Sequence, residues 1–294
     1  MMLSKNEIAN FWKDGFIIIR DVYSKDEISE YRNFVSKESV KYFGNESSNY
    51  KELEVNNFKE ILSYPEIQSV ILNKKLIDSV KNILEGEVVY WGNSSFRWNE
   101  KAYRRFHNDA KNDFDCPFTT KYPLVRVGVY LQDHCSYSNG LKIWKGTRHT
   151  LRYGRKLLKK IFKENGSLKY LLPQQLYKSI NVNTKAGDVV IWNLRTCHSG
   201  GALRIKYLSN ISFHPIVENF IERYLPSFVL PLEKERGVLF STFGKESNDL
   251  NNYIQNNLKH PEISQIINNS SFLGNEYVNK KSLELGLKLK NIFM

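Results

Sequence analysis

Cysteine is scarce in this sequence: Cys116, Cys135 and Cys197 are the whole supply in 294 residues, odd in number and far apart. That excludes a disulfide framework or a zinc knuckle and leaves buried free thiols as the reading. No uncharged apolar run approaches the roughly 20 residues that span a bilayer. The opening Met1-Met2-Leu3-Ser4-Lys5-Asn6-Glu7 is polar and turns acidic too early for a secretory leader. No transmembrane segment is expected, and a soluble, cytoplasmic protein is. Internal repeats and low-complexity linkers are also missing, so a single domain over 1–294 is the economical expectation.

Acidic residues are outnumbered, 31 against 43 Lys and Arg, for a net charge of +12. Nine of those cations fall between Lys142 and Lys163, a stretch without one Asp or Glu. Such a run either concentrates anions near the protein or forms an ordinary solvated face. Within it, Arg155-Lys156-Leu157-Leu158-Lys159-Lys160-Ile161-Phe162-Lys163 has the spacing of a basic amphipathic helix closed by Gly166. It can pack its apolar side on the domain or lie on an anionic membrane surface. Specific nucleic-acid binding is not expected, because no stretch has the aromatic and glycine spacing of a known module.

What is present is an apolar content of 41% with 13% aromatics, enough for a substantial core. Ser4 to Asp14, a longer stretch from Ser24 that ends before Gly44, and Asn73 to Leu84, stopped by Gly86, have helical spacing, with Phe16-Ile17-Ile18-Ile19 as a buried strand among them. A polar loop is expected from Asn45 to Asn57. From Val88 the texture changes to short β-branched and aromatic runs: Val88–Trp91, Ser95–Trp98, Leu124–Leu131, Leu141–Trp144, Ile180–Val182, Val189–Trp192 and Arg204–Phe213. Short strands separated by turns predict an all-β sandwich or barrel, and a jelly roll fits. Ser247–Leu258 and Asn275–Phe293 read as helices parted by Pro261, with Gly237–Phe243 as one more strand. The expected organisation is a helical part over 1–86, a jelly-roll core over 87–215 and a mostly helical extension over 216–294.

The chemistry concentrates in Arg105-Phe106-His107-Asn108-Asp109. On an extended segment, residues two apart point to the same side, so His107 and Asp109 can grip one ion together. A third ligand, for which His198 is the best candidate, completes the two-histidine, one-carboxylate triad that suits Fe(II) and leaves sites open for substrate and oxygen. His198 follows the apolar run Val189-Val190-Ile191-Trp192 and stands beside Gly200-Gly201, where backbone bulk is low. Arg204, six positions beyond, offers a bidentate clamp for a carboxylate. Arg97, Arg126 and Tyr130 are candidates to line the pocket, the last two having matching parity on one strand. Whether that face is the inner one is not decided by the residues.

Four pieces in order resemble the phytanoyl-CoA dioxygenase family of Fe(II)/2-oxoglutarate oxygenases. They are Phe11-Trp12-Lys13-Asp14-Gly15-Phe16, then Phe106-His107-Asn108-Asp109, then Asn139-Gly140-Leu141-Lys142 leading to Gly146-Thr147-Arg148-His149, and finally Gly187-Asp188 leading to His198. Trp144-Lys145 and Thr147-Arg148 depart from the family's Pro-Gly-Ser-His. The resemblance implies a double-stranded β-helix (jelly roll, cupin-like) with helical additions. It also implies iron held by His107, Asp109 and His198, and 2-oxoglutarate bound through the metal and an arginine. In the family that arginine usually lies farther past the second histidine than Arg204 does, so Lys206, on the same strand face, is a second candidate. Hydroxylation of a small, anionic or sugar-like substrate, with release of succinate and carbon dioxide, is the implied activity. The alternative is a jelly-roll protein that binds an anionic ligand or polymer without catalysis.

Overall fold

The computed structural model describes residues 2–43, 59–98, 107–110, 121–134, 140–145, 179–200, 220–221, 224–225, 228 and 236–290. Helix α1 (Lys5–Asp14) opens the chain with a reciprocal cap, Ser4 Oγ accepting from the Glu7 N–H while Glu7 accepts from the Ser4 N–H at 2.7 Å. It stops at Gly15, whose φ of 90° is left-handed, and strand β1 (Phe16–Ile19) follows at once. Helix α2 (Lys25–Phe43) repeats the same capping chemistry with Ser24 and Glu27. Helix α3 (Lys74–Leu84) is capped by the Asn73 side chain and ends at a left-handed Glu85, one residue before the expected Gly86.

Strand β2 (Val88–Trp98) is continuous where the sequence suggests two short strands. The turn signal at Gly92-Asn93 is absorbed as a register irregularity between Tyr90 and Ser94. The remaining strands are β3 (Leu124–Tyr130), β4 (Lys142–Trp144), β5 (Ser179–Asn181), β6 (Val189–Asn193), β7 (His198–Ser199), β8 (Gly237–Gly244) and β9 (Leu287–Leu289). They form a six-stranded sheet in the order β1-β6-β3-β8-β2-β9 and a three-stranded sheet in the order β5-β4-β7. The expected extra strand at Gly237 is therefore β8, in the middle of the large sheet between β2 and β3. Helices α4 (Asn248–Leu258), α5 (Pro261–Asn268) and α6 (Glu276–Leu285) follow. Pro261 starts α5 instead of merely separating two helices, since its missing N–H is harmless in the first turn. The last helix is shorter than predicted: Gly286, at φ 59°, ends α6 and sends the chain into β9.

Period-two alternation divides the large sheet between two cores. Val125, Val127 and Val129 of β3 and Val189 and Ile191 of β6 pack against the helical layer, with Phe11, Val35 and Leu76. Tyr130, Val190, Trp192 and Val238 face the other way, against Leu141, Ile143 and Val182 of the small-sheet side. Each such apolar side chain contributes roughly 1.5–3 kcal/mol relative to exposure. The result is a jelly roll with helices at both ends, and the odd-numbered valines of β3 fix the face of Arg126 and Tyr130: it is the interior one.

Asp188 secures the entry to β6. Its buried carboxylate accepts from the Asp21 N–H at 3.0 Å, the Lys185 N–H at 2.8 Å and Arg20 Nη1 at 2.5 Å. The loop at Asn45–Asn57, the basic helix at Arg155–Lys163 and the strand at Arg204–Phe213 lie outside the described residues. Of the basic run's described members, Lys142 is buried and Lys145 pairs with Asp14 at 2.7 Å. No described helix is long and apolar enough to cross a membrane. Cys197 is buried, as expected.

Candidate metal centre

His107 and His198 meet through their backbones. The His107 N–H donates to the His198 carbonyl at 2.9 Å and the His198 N–H returns a bond to the His107 carbonyl at 2.8 Å. Two residues on, the Asp109 N–H donates to the Leu194 carbonyl at 3.0 Å, so the short segment is held extended along the chain that leads into β7. That pairing turns His107 and Asp109 to one side, as the period-two argument requires. His107 Nε2 lies 3.8 Å from Asp109 Oδ1, and His198 Nε2 lies 3.6 Å from Asp109 Oδ2. One ligand atom from each of the three lies within 4.8 Å of the others, the only such group of His, Cys, Asp and Glu among the described residues that could hold a metal ion. Donors about 2.1 Å from a shared first-row ion are separated by ~3–4 Å, so both His–Asp spacings fit such an ion, and small side-chain adjustments bring the widest separation into that range.

The surroundings prepare the donors. The His198 Nδ1–H donates to the Thr196 carbonyl at 3.1 Å, which fixes the tautomer and leaves the Nε2 lone pair facing Asp109. Burial pushes His198 down to about 4, with Asp109 pulling upward and His107 pressing downward. Burial acts to raise Asp109, but His198, His107, the Arg126 guanidinium and the Trp192 N–H together outweigh it and hold the carboxyl at about 2. At neutral pH Asp109 is therefore ionised and His198 neutral, the forms in which both bind metals. Trp192 Nε1 stands 3.4 Å from Asp109 Oδ2, and its ring lies 5.2 Å from that of His198. Gly128 makes room for that indole: a Cβ there would sit 3.0 Å from Trp192 Cζ3.

An inner cavity opens on the triad and is also lined by Arg97, Arg126, Tyr130, Leu141, Trp192 and Phe240. All three sequence-derived pocket candidates are thus brought to it. Arg126 donates to Thr242 Oγ1 at 2.7 Å and to Asn93 Oδ1 at 3.3 Å, and the guanidiniums of Arg126 and Arg97 stand 5.3 and 5.6 Å from the Phe240 ring. Arg204 and Lys206 lie outside the described residues. Arg236 is a further cation that sequence reasoning does not single out, and it is not among the described residues that line this cavity. It is buried just ahead of β8, has the parity of the interior residues Val238 and Phe240, and lies 6.0 Å from the ring of Tyr130. The available signal was a cation directly before the apolar run Gly237-Val238-Leu239-Phe240.

The model of the phytanoyl-CoA dioxygenase (PhyH) family matches residues 11–204. The chain belongs to that family. Comparison with curated proteins finds no match. Among solved structures, HygX from Streptomyces hygroscopicus with nickel and 2-oxoglutarate bound is similar at TM-score 0.57 and 14% identity, over 83% of this chain and 88% of that one. The non-heme alpha ketoglutarate dependent epimerase SnoN from nogalamycin biosynthesis is similar at TM-score 0.52 and 14% identity, over 81% of each chain. EctD from S. alaskensis, with 2-oxoglutarate and 5-hydroxyectoine, is similar at TM-score 0.51 and 12% identity, over 84% of this chain and 77% of that one. These likenesses are of fold. Within the family segment, Trp192 and Thr196 support the His-Asp-His cluster, whereas Arg236 and helices α4 and α5 lie beyond it.

Proposed function

We propose that this protein is an Fe(II)/2-oxoglutarate-dependent oxygenase that hydroxylates a C–H bond of a small anionic substrate, with His107, Asp109 and His198 as the iron ligands. The observation that carries the reading is the convergence of two imidazoles and one carboxylate on the interior face of a PhyH-family jelly roll. Ferrous iron with 2-oxoglutarate supplies the oxidation, dioxygen being consumed and succinate and carbon dioxide released. The chain's residues hold and orient. Thr196 keeps the His198 lone pair on Nε2, Trp192 steadies one carboxylate oxygen of Asp109, and Arg126 favours that carboxylate's charged form. Arg204 is proposed to hold the distal carboxylate of 2-oxoglutarate, its fork suited to bidentate contact, with Lys206 as the alternative.

The test is an anaerobic titration of the purified protein with Fe(II) and 2-oxoglutarate, watched for the weak visible charge-transfer band. Oxygen is then admitted and succinate measured. A band followed by uncoupled succinate formation is the expected result, and both should vanish in Asp109→Ala. A protein that takes up no iron, or binds it equally well without Asp109, is not this oxygenase and reverts to a jelly-roll binding protein.

A further inference from the structure

A second cavity, of about 170 Å³, is bordered by Asp109 without either histidine in its lining. Its described wall is made by Asn93 and Arg97 of β2, Arg126 of β3, Asn256 and Asn257 near the end of α4, and His260 just before α5. Asp109, Arg97 and Arg126 line both cavities, so the second space borders the proposed metal centre. The volume is comparable to the ~150 Å³ hole that accommodates one benzene ring. A group the size of a single six-membered ring therefore fits beside Asp109.

The electrostatics of the cavity are one-sided. Asp109 is the sole carboxylate lining either space among the described residues, against the guanidiniums of Arg97 and Arg126. A divalent ion on Asp109 outweighs that carboxylate, and a doubly charged co-substrate cannot neutralise the ion and both guanidiniums together. The two arginines are also positioned: both stack on Phe240, and Arg126 is braced by Thr242 and Asn93. Braced guanidiniums lose little freedom when they clamp an oxyanion. The asparagines add neutral donors and acceptors suited to hydroxyl groups.

We infer that this outer cavity is the substrate site, and that the substrate is a ring-sized polyol, of the sugar or cyclitol kind, carrying a carboxylate or phosphate that Arg97 and Arg126 clamp beside the metal. This rests on the oxygenase reading, which it extends from reaction to substrate class. The experiment is calorimetric titration of the protein loaded with Fe(II) and 2-oxoglutarate under nitrogen, using glucuronate, glucose 6-phosphate and neutral methyl glucoside. Binding of glucuronate or glucose 6-phosphate, with methyl glucoside at least 10-fold weaker, is expected, and the better of the two acids identifies the oxyanion. Arg97→Gln and Arg126→Gln should each weaken it about 10- to 100-fold, as expected for a lost hydrogen bond to a charged group. Arg97→Lys should fall between, and thermal melts of each variant separate lost contact from lost fold. Failure of both acids to bind, equal binding of methyl glucoside, or affinity unchanged in folded Arg97→Gln overturns the inference. If iron and 2-oxoglutarate bind but the acids do not, this inference falls alone. If iron does not bind, the oxygenase reading falls, and the same titrations on the metal-free protein still decide what the cavity holds.

Discussion

Gly128→Ala is the sharpest perturbation of the metal centre, although residue 128 touches no ligand. The added methyl would stand 3.0 Å from Trp192 Cζ3, 3.2 Å from Cη2 and 3.3 Å from Tyr130 Cε2, in a buried part of the large sheet. Carbon atoms pack at about 3.5–4.0 Å, so the indole must retreat by roughly half an ångström or more. Its N–H is already 3.4 Å from Asp109 Oδ2, and that retreat removes the bond. Overpacking of this kind costs about 1–3 kcal/mol. At ~2.1 cal/mol/K per residue of unfolding entropy this is a drop in Tm of about 2–5 °C for a chain of this length. Loss of a group that orients a ligand weakens metal binding about 10- to 100-fold. The assays are calorimetric unfolding of the metal-free protein and anaerobic Fe(II) titration. Trp192→Phe deletes the crowded ring atoms along with the N–H, so it should weaken iron by a similar factor. The double variant should then be more stable than the sum of the single losses by about 1 kcal/mol or more. Additive losses in that cycle, or an Fe(II) affinity within twofold of wild type in Gly128→Ala, would refute the coupling from sheet to carboxylate.

Three further outcomes follow from the charged groups. Because His198 is held at about 4, its contribution to iron affinity persists through mildly acidic buffer and falls about tenfold per pH unit only below pH ~4; a titration of Kd against pH locates the break. Glu60 is raised to about 8 by burial, only partly offset by Tyr90, Ser94 and neighbouring backbone N–H groups. Its folded value exceeds its unfolded one, so its contribution is fully present below pH ~4.5 and is lost toward pH 8 at up to about 1.4 kcal/mol per unit. Glu60→Gln should flatten the decline in Tm between pH 5 and 8, and an unchanged slope would contradict the assignment. Arg204→Gln should weaken 2-oxoglutarate about 10- to 100-fold while leaving Fe(II) binding intact; if Lys206→Gln does so instead, the clamp lies there, and if neither does, the clamp assignment is refuted.

The site was legible in the sequence to the extent that it depends on local periodicity. His107 and Asp109 share a side because extended side chains alternate, and Arg126 and Tyr130 share one for the same reason. What periodicity cannot supply is which side is inside, and that was decided by Val125, Val127 and Val129 packing on the helices. The capped starts of α1 and α3 were readable because Ser4 and Asn73 bond within their own first turns. Gly92-Asn93 misled because a bulge and a turn use the same residues, and Pro261 misled because proline ends one helix as readily as it begins another. The order of strands in the sheet was unreadable, since β8 reaches its neighbours by pairing across more than 100 residues of chain. Asn256, Asn257 and His260 were missed for that reason: nothing near them in sequence announces the metal.

The central seat of β8 has a consequence for how the polypeptide comes to be folded. Its partners β2 and β3 emerge from the ribosome more than a hundred residues earlier, and until β8 arrives each presents an open edge to the other across an empty lane. Synthesis at about 5–20 residues per second leaves those edges waiting for several seconds or longer. Non-local pairing of this sort is slow and vulnerable to adhesion between chains. Expression of residues 11–204 alone, the homologous segment, should therefore yield aggregates, because the stretch that carries the ancestry is not by itself a unit that can close.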